Sequence, residues 1–253
     1  MSLCILTNDS ALFSFASAES MQHLRSMPLT ANELTISAPI EADFEHVYNQ
    51  AEIKFKTLLV LCPAPELLTG LEAAQSAANK HGGMLKISVL NTGQIGPGLG
   101  MLAQLAARQA AAGAGLSEVE DTVRSAIPYI FTLLCPGKNP QEKVAATNEP
   151  ANQPIFSLEN GMLAPYKKVR TRRHIIEDLQ EFLEEFEKPQ QISLFHGSSS
   201  KIRPHTLREA TARLFPGILL NDLPLNEHLT TLFGSQTVGL TVLEMPQKPQ
   251  NRD

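Results

Sequence analysis

Three short loops carry the residues of this chain best placed for chemistry. Ser37-Ala38-Pro39 precedes a stretch with helical apolar spacing, Ala42–Gln50. Thr69-Gly70 follows the run Thr57–Cys62 (TLLVLC), and Gly93–Gly100 (GQIGPGLG) follows Leu85–Leu90 (LKISVL). Hydroxyls and glycines at such places suit a polar or anionic head group. Helix N-termini hold unpaired N–H groups with a partial positive charge, and glycine lets a ligand approach the backbone. Each loop also has a simpler reading. Ser37 serves as a turn or cap residue, Thr69 bonds back within its own helix, and Gly96, Gly98 and Gly100 allow tight packing of helix on sheet. The glycine run is not G-x-G-x-x-G and no Gly-Lys-Ser/Thr is present, so dinucleotide and P-loop readings are weak.

Other constellations are less specific. The seven histidines are scattered, without H-E-x-x-H or metal-ligand spacing. His196 closes the run Ile192–Phe195 beside Gly197 and reads as a structural histidine. Ser198-Ser199-Ser200 follows it without the G-x-S-x-G elbow of a nucleophilic serine. Cys4, Cys62 and Cys135 are odd in number, widely spaced and apolar in setting, which suits buried thiols of a reducing cytoplasm rather than a disulfide framework or a zinc site. Glu184, Glu185 and Glu187 lie on the outer face of an amphipathic helix. The basic cluster Lys167, Lys168, Arg170, Arg172 and Arg173 reads either as an exposed strand end or as a contact for phosphate or an acidic partner, whose oxygens arginine forks match.

Around these residues, strand and helix signals alternate through the first half. Leu3–Leu6, TLLVLC, LKISVL and Tyr129–Leu134 read as strands. Ala42–Gln50, Pro65–Lys80, Gly98–Ala112 and a helix capped by Ser117 with Glu120 separate them. That alternation predicts βαβ units and a largely parallel sheet with helices on both faces. The polar stretch AATNEPANQP, Ala145–Pro154, marks a boundary, giving an α/β domain over 1–150 and a smaller α+β domain over 151–253. The second opens with a hairpin through Asn160-Gly161, whose residues tolerate the positive φ of a tight turn. A long helix with Ile175, Ile176, Leu179, Phe182, Leu183 and Phe186 on one face follows. Leu207–Phe215 reads as a helix, Ile218–Leu220 and Thr237–Leu243 as strands, and the tail Pro246–Asp253 as disordered.

Composition bounds the function. The chain has 253 residues, 43% of them hydrophobic and 19% charged, with net charge −5. This suits a packed globular core, and mild acidity with no Trp and three Tyr argues against nucleic-acid binding. No apolar run approaches the ~20 residues of a membrane span, and MSLCILTNDS reads as a first strand rather than a signal peptide. A cytoplasmic protein without membrane insertion is the expectation.

The segment IFSLENGMLAPYKKVRTRRHIIEDLQEFL, Ile155–Leu183, closely resembles the strand, turn, strand, K-V-R-T-R and helix of the DegV family, two-domain α/β fatty-acid-binding proteins of bacteria. VLNTGQIGPGLG resembles that family's V-I-D-S-x-x-x-S-x-G-L-G segment, and ISLFHGSSS its second-domain strand and turn. ILTNDSA, SAPIEADF, LLTGLEAAQSA and TVGLTVL are fainter echoes. The resemblance implies a carrier rather than an enzyme. It implies no cofactor and a long-chain fatty acid or related lipid in an apolar tunnel between the domains, its head group presented to a fatty acid kinase. Carried over by position, it implies a site at Ile36, Ser37, Thr69, Gly70, Gly96, Gly98, Arg170, Leu232 and Phe233. Ile36 stands where the family has threonine, and the Leu232-Phe233-Gly234-Ser235-Gln236 loop lacks the family's histidine, so two head-group donors are gone. The alternative is a degenerate paralogue that binds a protein partner through the K-V-R-T-R surface; a nucleotide-using enzyme built on the glycine loop is the third reading.

Overall fold

The computed structural model describes residues 3–13, 22–27, 30–31, 36–37, 39–138, 153–169, 172–200, 204–218 and 220–245. In chain order the elements are β1 (Leu3–Asn8), β2 (Leu24–Met27), β3 (Thr30–Ala31), β4 (Ile36–Ser37), α1 (Glu41–Glu52), β5 (Thr57–Cys62), α2 (Leu71–Lys80), β6 (Lys86–Asn91), α3 (Pro97–Ala111), α4 (Leu116–Ala126) and β7 (Ile130–Cys135). There follow β8 (Gln153–Glu159), β9 (Met162–Val169), α5 (Arg172–Glu184), β10 (Gln191–His196), α6 (Pro204–Leu214), β11 (Leu220–Pro224), α7 (Glu227–Phe233) and β12 (Val238–Leu243).

Two sheets organise the chain. The first is parallel, in the order β2-β1-β5-β6. Its central strands are buried along their whole length, as strands covered on both faces must be. Leu3, Ile5, Leu59 and Leu61 face α3 and α4, and Cys4, Leu6, Leu58 and Val60 face α1 and α2. The α/β class is therefore as the alternation predicts. The second sheet is mixed, in the order β11-β10-β12-β7-β8-β9. Only its β10–β11 pair is parallel.

Helix α3 touches β1 and β2 of the first sheet and β7 and β12 of the second. It is buried over most of its surface, which suits its run of glycine, alanine and leucine, while Arg108 and Ala111 near its end are exposed. Gly98 and Gly100 permit that closeness: a Cβ on Gly98 would stand 3.2 Å from the Ile130 Cγ2, and one on Gly100 2.7 Å from the Leu12 carbonyl carbon.

Four readings of the sequence need correction. The strand at 130–135 does not join the first sheet; it lies between β12 and β8 in the second, where Thr132 and Thr241 share a buried hydroxyl bond of 2.9 Å. The helix expected from Pro65 begins only at Leu71, because Gly70 has φ 131°, which no helical residue adopts. Residues 65–68 instead form a turn closed on the Ala64 carbonyl. Gly115, not Ser117, caps α4, and Glu120 accepts hydrogen bonds from Ser88 (2.6 Å) and Arg124. The strand expected at Ile218–Leu220 runs from Leu220 to Pro224. The hairpin of β8 and β9 turns through Asn160 (φ 50°) and Gly161 (φ 82°), as their types predict. The tail 246–253 and most of the polar boundary stretch lie outside the described residues.

Candidate functional site

The carboxyl ends of β1 and β5 and the loops after them form one edge of the first sheet. The β8–β9 hairpin tip lies against this edge: a Cβ on Gly161 would sit 3.5 Å from the Ala64 Cβ, and one on Gly93 3.5 Å from the Gly161 nitrogen. Two cavities flank the junction.

The first is apolar, with about 300 Å³ of empty volume, partly open to solvent. Leu134 of β7, Leu158 of β8, Leu163 of β9, Phe195 of β10, Leu225 and Leu229 line it, together with Ile95, Gly96 and Phe233. Leu12, Phe156 and half-buried Leu67, Leu223 and Leu232 pack around the same cluster. The strand residues come from the second sheet's face turned away from α5 and α6.

The second cavity, of about 280 Å³ on the same measure, is more polar. Thr7 and Asn8 at the end of β1, Pro39, Cys62, Pro63, Thr69 and Gly70 line it above the floor of Leu6, Phe44 and Val60. Thr7 is 2% exposed, and its hydroxyl has no hydrogen-bond partner among the described residues. Such a buried hydroxyl costs free energy unless something pairs with it. Cys62 is neutral: burial pushes its thiol up to about 12. Loop 8–12 lines the polar cavity through Asn8 and packs into the apolar cluster through Leu12, and loop 63–70 does the same through Pro63 and Leu67.

The expected site residues divide between the two. Thr69, exposed on the rim, and Gly70 line the polar cavity; Gly96 and Phe233 line the apolar one, with Leu232 packed behind. Gly98 lines neither and sits against Gln94 and Ile130. The backbones of Ile36 and Ser37 form β4, paired with β3, while their side chains and the whole of Arg170 lie outside the described residues. Of the remaining basic cluster, Lys167 pairs with Asp178 and Arg173 with Glu177 (2.8 Å), so α5 neutralises part of it. His196 reaches Asp222 at 3.0 Å, and Arg208 completes that cluster at 3.1 Å. Sequence reasoning missed Thr7, Leu163, Leu225 and the whole of α7. The signal for α7 was present, since Asn226 and Gly234 are its cap residues by type.

Helix α7 closes the apolar cavity. Asn226 Oδ1 accepts the Leu229 N–H at 3.0 Å, and its Nδ2 donates to the Asp9 carbonyl at 2.5 Å. One side chain thus caps the helix and ties it to the loop after β1. Asn226→Ala is expected to cost about 1–2 kcal/mol, read as a lower urea midpoint with an unchanged slope.

Among the described residues, no group of three or more His, Cys, Asp or Glu is gathered for a metal ion, and no helix is long and apolar enough to cross a membrane.

The model of the DegV family, described as uncharacterised proteins, matches residues 1–139. No curated protein matches the chain. Among solved structures, a DegV family protein of Corynebacterium glutamicum is 19% identical with a TM-score of 0.84, covering 98% of this chain and 100% of its own. A fatty acid binding DegV family protein of Streptococcus agalactiae is 17% identical with a TM-score of 0.81, covering 97% and 100%. The fatty acid kinase B3 protein of Streptococcus pneumoniae, solved loaded with linoleic acid, is 12% identical with a TM-score of 0.78, covering 96% and 99%. At these identities the likeness establishes the fold.

Proposed function

The chain belongs to the DegV family, and from that premise we propose that it binds a long-chain fatty acid or related lipid. The acyl chain occupies the apolar cavity, and its polar end is met beside Thr7 and Thr69. The observation carrying this reading is an apolar cavity walled by leucine and phenylalanine, whose surrounding cluster includes Leu12 and Leu67 from the two loops that also reach a more polar cavity lined by Thr7, Asn8 and Thr69. Each buried methylene contributes about 0.8 kcal/mol, so a chain of ordinary length supplies affinity without any charged contact. A few polar groups then fix its direction. The protein acts as a carrier without chemistry of its own and hands the head group to a separate kinase. The described solved relatives that bind fatty acids support this reading by fold.

Native mass spectrometry of the protein purified from bacterial cells tests it. A mass excess matching one acyl species is expected, removable by delipidation and restored by oleic acid. A protein that purifies empty and takes up no added oleic acid overturns the proposal.

A further inference from the structure

We infer that the end of the first sheet opposite the cavities rests on an anionic lipid surface, with two apolar tips in the head-group layer and lysines on the lipid phosphates. This surface is separate from the acyl site and stands whether or not that site is filled. The two most exposed large apolar side chains among the described residues fall at this end: Ile53 is 81% exposed and Met84 92%. Different segments supply them, since Ile53 follows α1 and Met84 stands in the turn before β6. Glu52 brings the two segments together. Its Oε1 accepts the N–H groups of Met84 and, at 3.2 Å, Leu85, while its Oε2 faces His81 Nε2 at 3.3 Å. The 81–85 turn is thereby held against the end of α1, with one apolar tip on each side of the Glu52 carboxylate.

Cations accompany the tips. Lys54, Lys56 and Lys86 are exposed, and the Lys86 N–H bonds the Lys56 carbonyl at 3.1 Å, which sets both residues at the amino ends of β5 and β6. Exposed Arg25 of β2 places its guanidinium 5.7 Å from the centre of the Phe55 ring. The segment Ile53-Lys54-Phe55-Lys56 thus alternates apolar and basic residues. A chain of net charge −5 presents a basic group at this end.

Simpler roles explain only part of this. A lysine just past a helix complements its dipole, and Lys54 does so for α1. That role does not require Ile53 and Met84 to stand in water beside it. Single exposed apolar residues are ordinary on any surface. Two of them joined through one carboxylate among lysines have the make-up of a membrane-resting loop: aliphatic tips sink toward the acyl boundary, lysine stems follow, and the ammonium groups stay with the phosphates. Protein interfaces favour aromatic residues and arginine and disfavour lysine, so a lipid surface fits this face better. Docked in this way the chain lies on the bilayer and needs no spanning helix. β5 has six residues, so the cavities at its carboxyl end stand about 20 Å from the lipid and face away from it.

Co-sedimentation with vesicles tests this. Vesicles of equal parts phosphatidylglycerol and phosphatidylcholine are expected to take up the protein about a hundredfold better than pure phosphatidylcholine at low salt, since each lysine near an anionic surface is worth about fivefold. At about 1 M salt the preference should vanish, because the charges are then screened within about 3 Å. The double variant Ile53→Ser with Met84→Ser is expected to lose about a hundredfold in partition, about tenfold for each tip. Lys56→Gln with Lys86→Gln should lose about twentyfold. Both variants alter exposed side chains away from the cavities, so Tm and any acyl load seen by native mass spectrometry should match wild type. Equal uptake by the two kinds of vesicle overturns the inference, and so does wild-type partition in either double variant. Uptake by neither vesicle also overturns it and assigns the face to a protein partner. Acyl binding is read separately and survives each of these failures.

Discussion

Leu225→Asp is expected to empty the protein of lipid while leaving it folded. Leu225 lines the apolar cavity yet is only half buried, so the new carboxylate keeps contact with water in the unliganded protein. Its backbone N–H remains bonded to the His196 carbonyl at 2.7 Å, which holds the segment after β11 in place. Binding an acyl chain would then cover the carboxylate with methylenes. Burial of an unpaired charge costs about 3 kcal/mol or more, a loss of affinity of at least about a hundredfold. Native mass spectrometry checks the co-purified species and differential scanning calorimetry the fold. The volume-conserving Leu225→Met should keep its lipid. Retention of a normal lipid load by Leu225→Asp would place the acyl chain in another part of the molecule.

Gly100→Ala should be the most damaging single methyl group in the chain. The added Cβ would collide with the Leu12 carbonyl, a backbone group rather than a flexible side chain. That carbonyl has little freedom to retreat. Leu12 N–H bonds the Gly96 carbonyl at 2.9 Å, and Gly96 N–H bonds the Ser10 carbonyl at 2.8 Å. Relief must therefore push α3 away from the 10–12 loop, opening the helix shared by the two sheets and shifting Leu12 out of the apolar cluster. Overpacking of this kind costs about 3 kcal/mol, which lowers Tm by about 6–12 °C in a chain of this size. Gly82→Ala is the control: nothing lies within 4 Å of its added Cβ, so its Tm should hold. Equal melting of the two variants would show that the 10–12 loop yields freely.

Much of the architecture was written locally. The buried runs LCILTN and TLLVLC could only be strands covered on both faces, since each buries every residue. Asn160-Gly161 specified a tight hairpin through the φ values its residues tolerate, and the Ala- and Leu-rich run Gly98–Ala112 already read as a helix. The DegV resemblance was likewise carried by contiguous segments, above all Ile155–Leu183. Candidate head-group residues such as Thr69 could be found because they follow strands, where an α/β sheet exposes its ligand edge.

What local pattern could not supply was partnership between distant segments. An apolar strand at 130–135 fits either sheet by periodicity; its pairing with β12 and β8, over 100 residues of separation in one case, placed it in the second. Thr7 looked like the end of an ordinary strand, and only the assembled sheet shows its hydroxyl buried without a partner among the described residues. Leu163 and Leu225 read as unremarkable apolar residues until β9, β11 and α7 enclosed a common space. Strand and helix follow from periodicity and φ preference, which the chain carries residue by residue. Cavities and the pairing of polar groups arise only when separate segments exclude water together, and tertiary packing alone decides that.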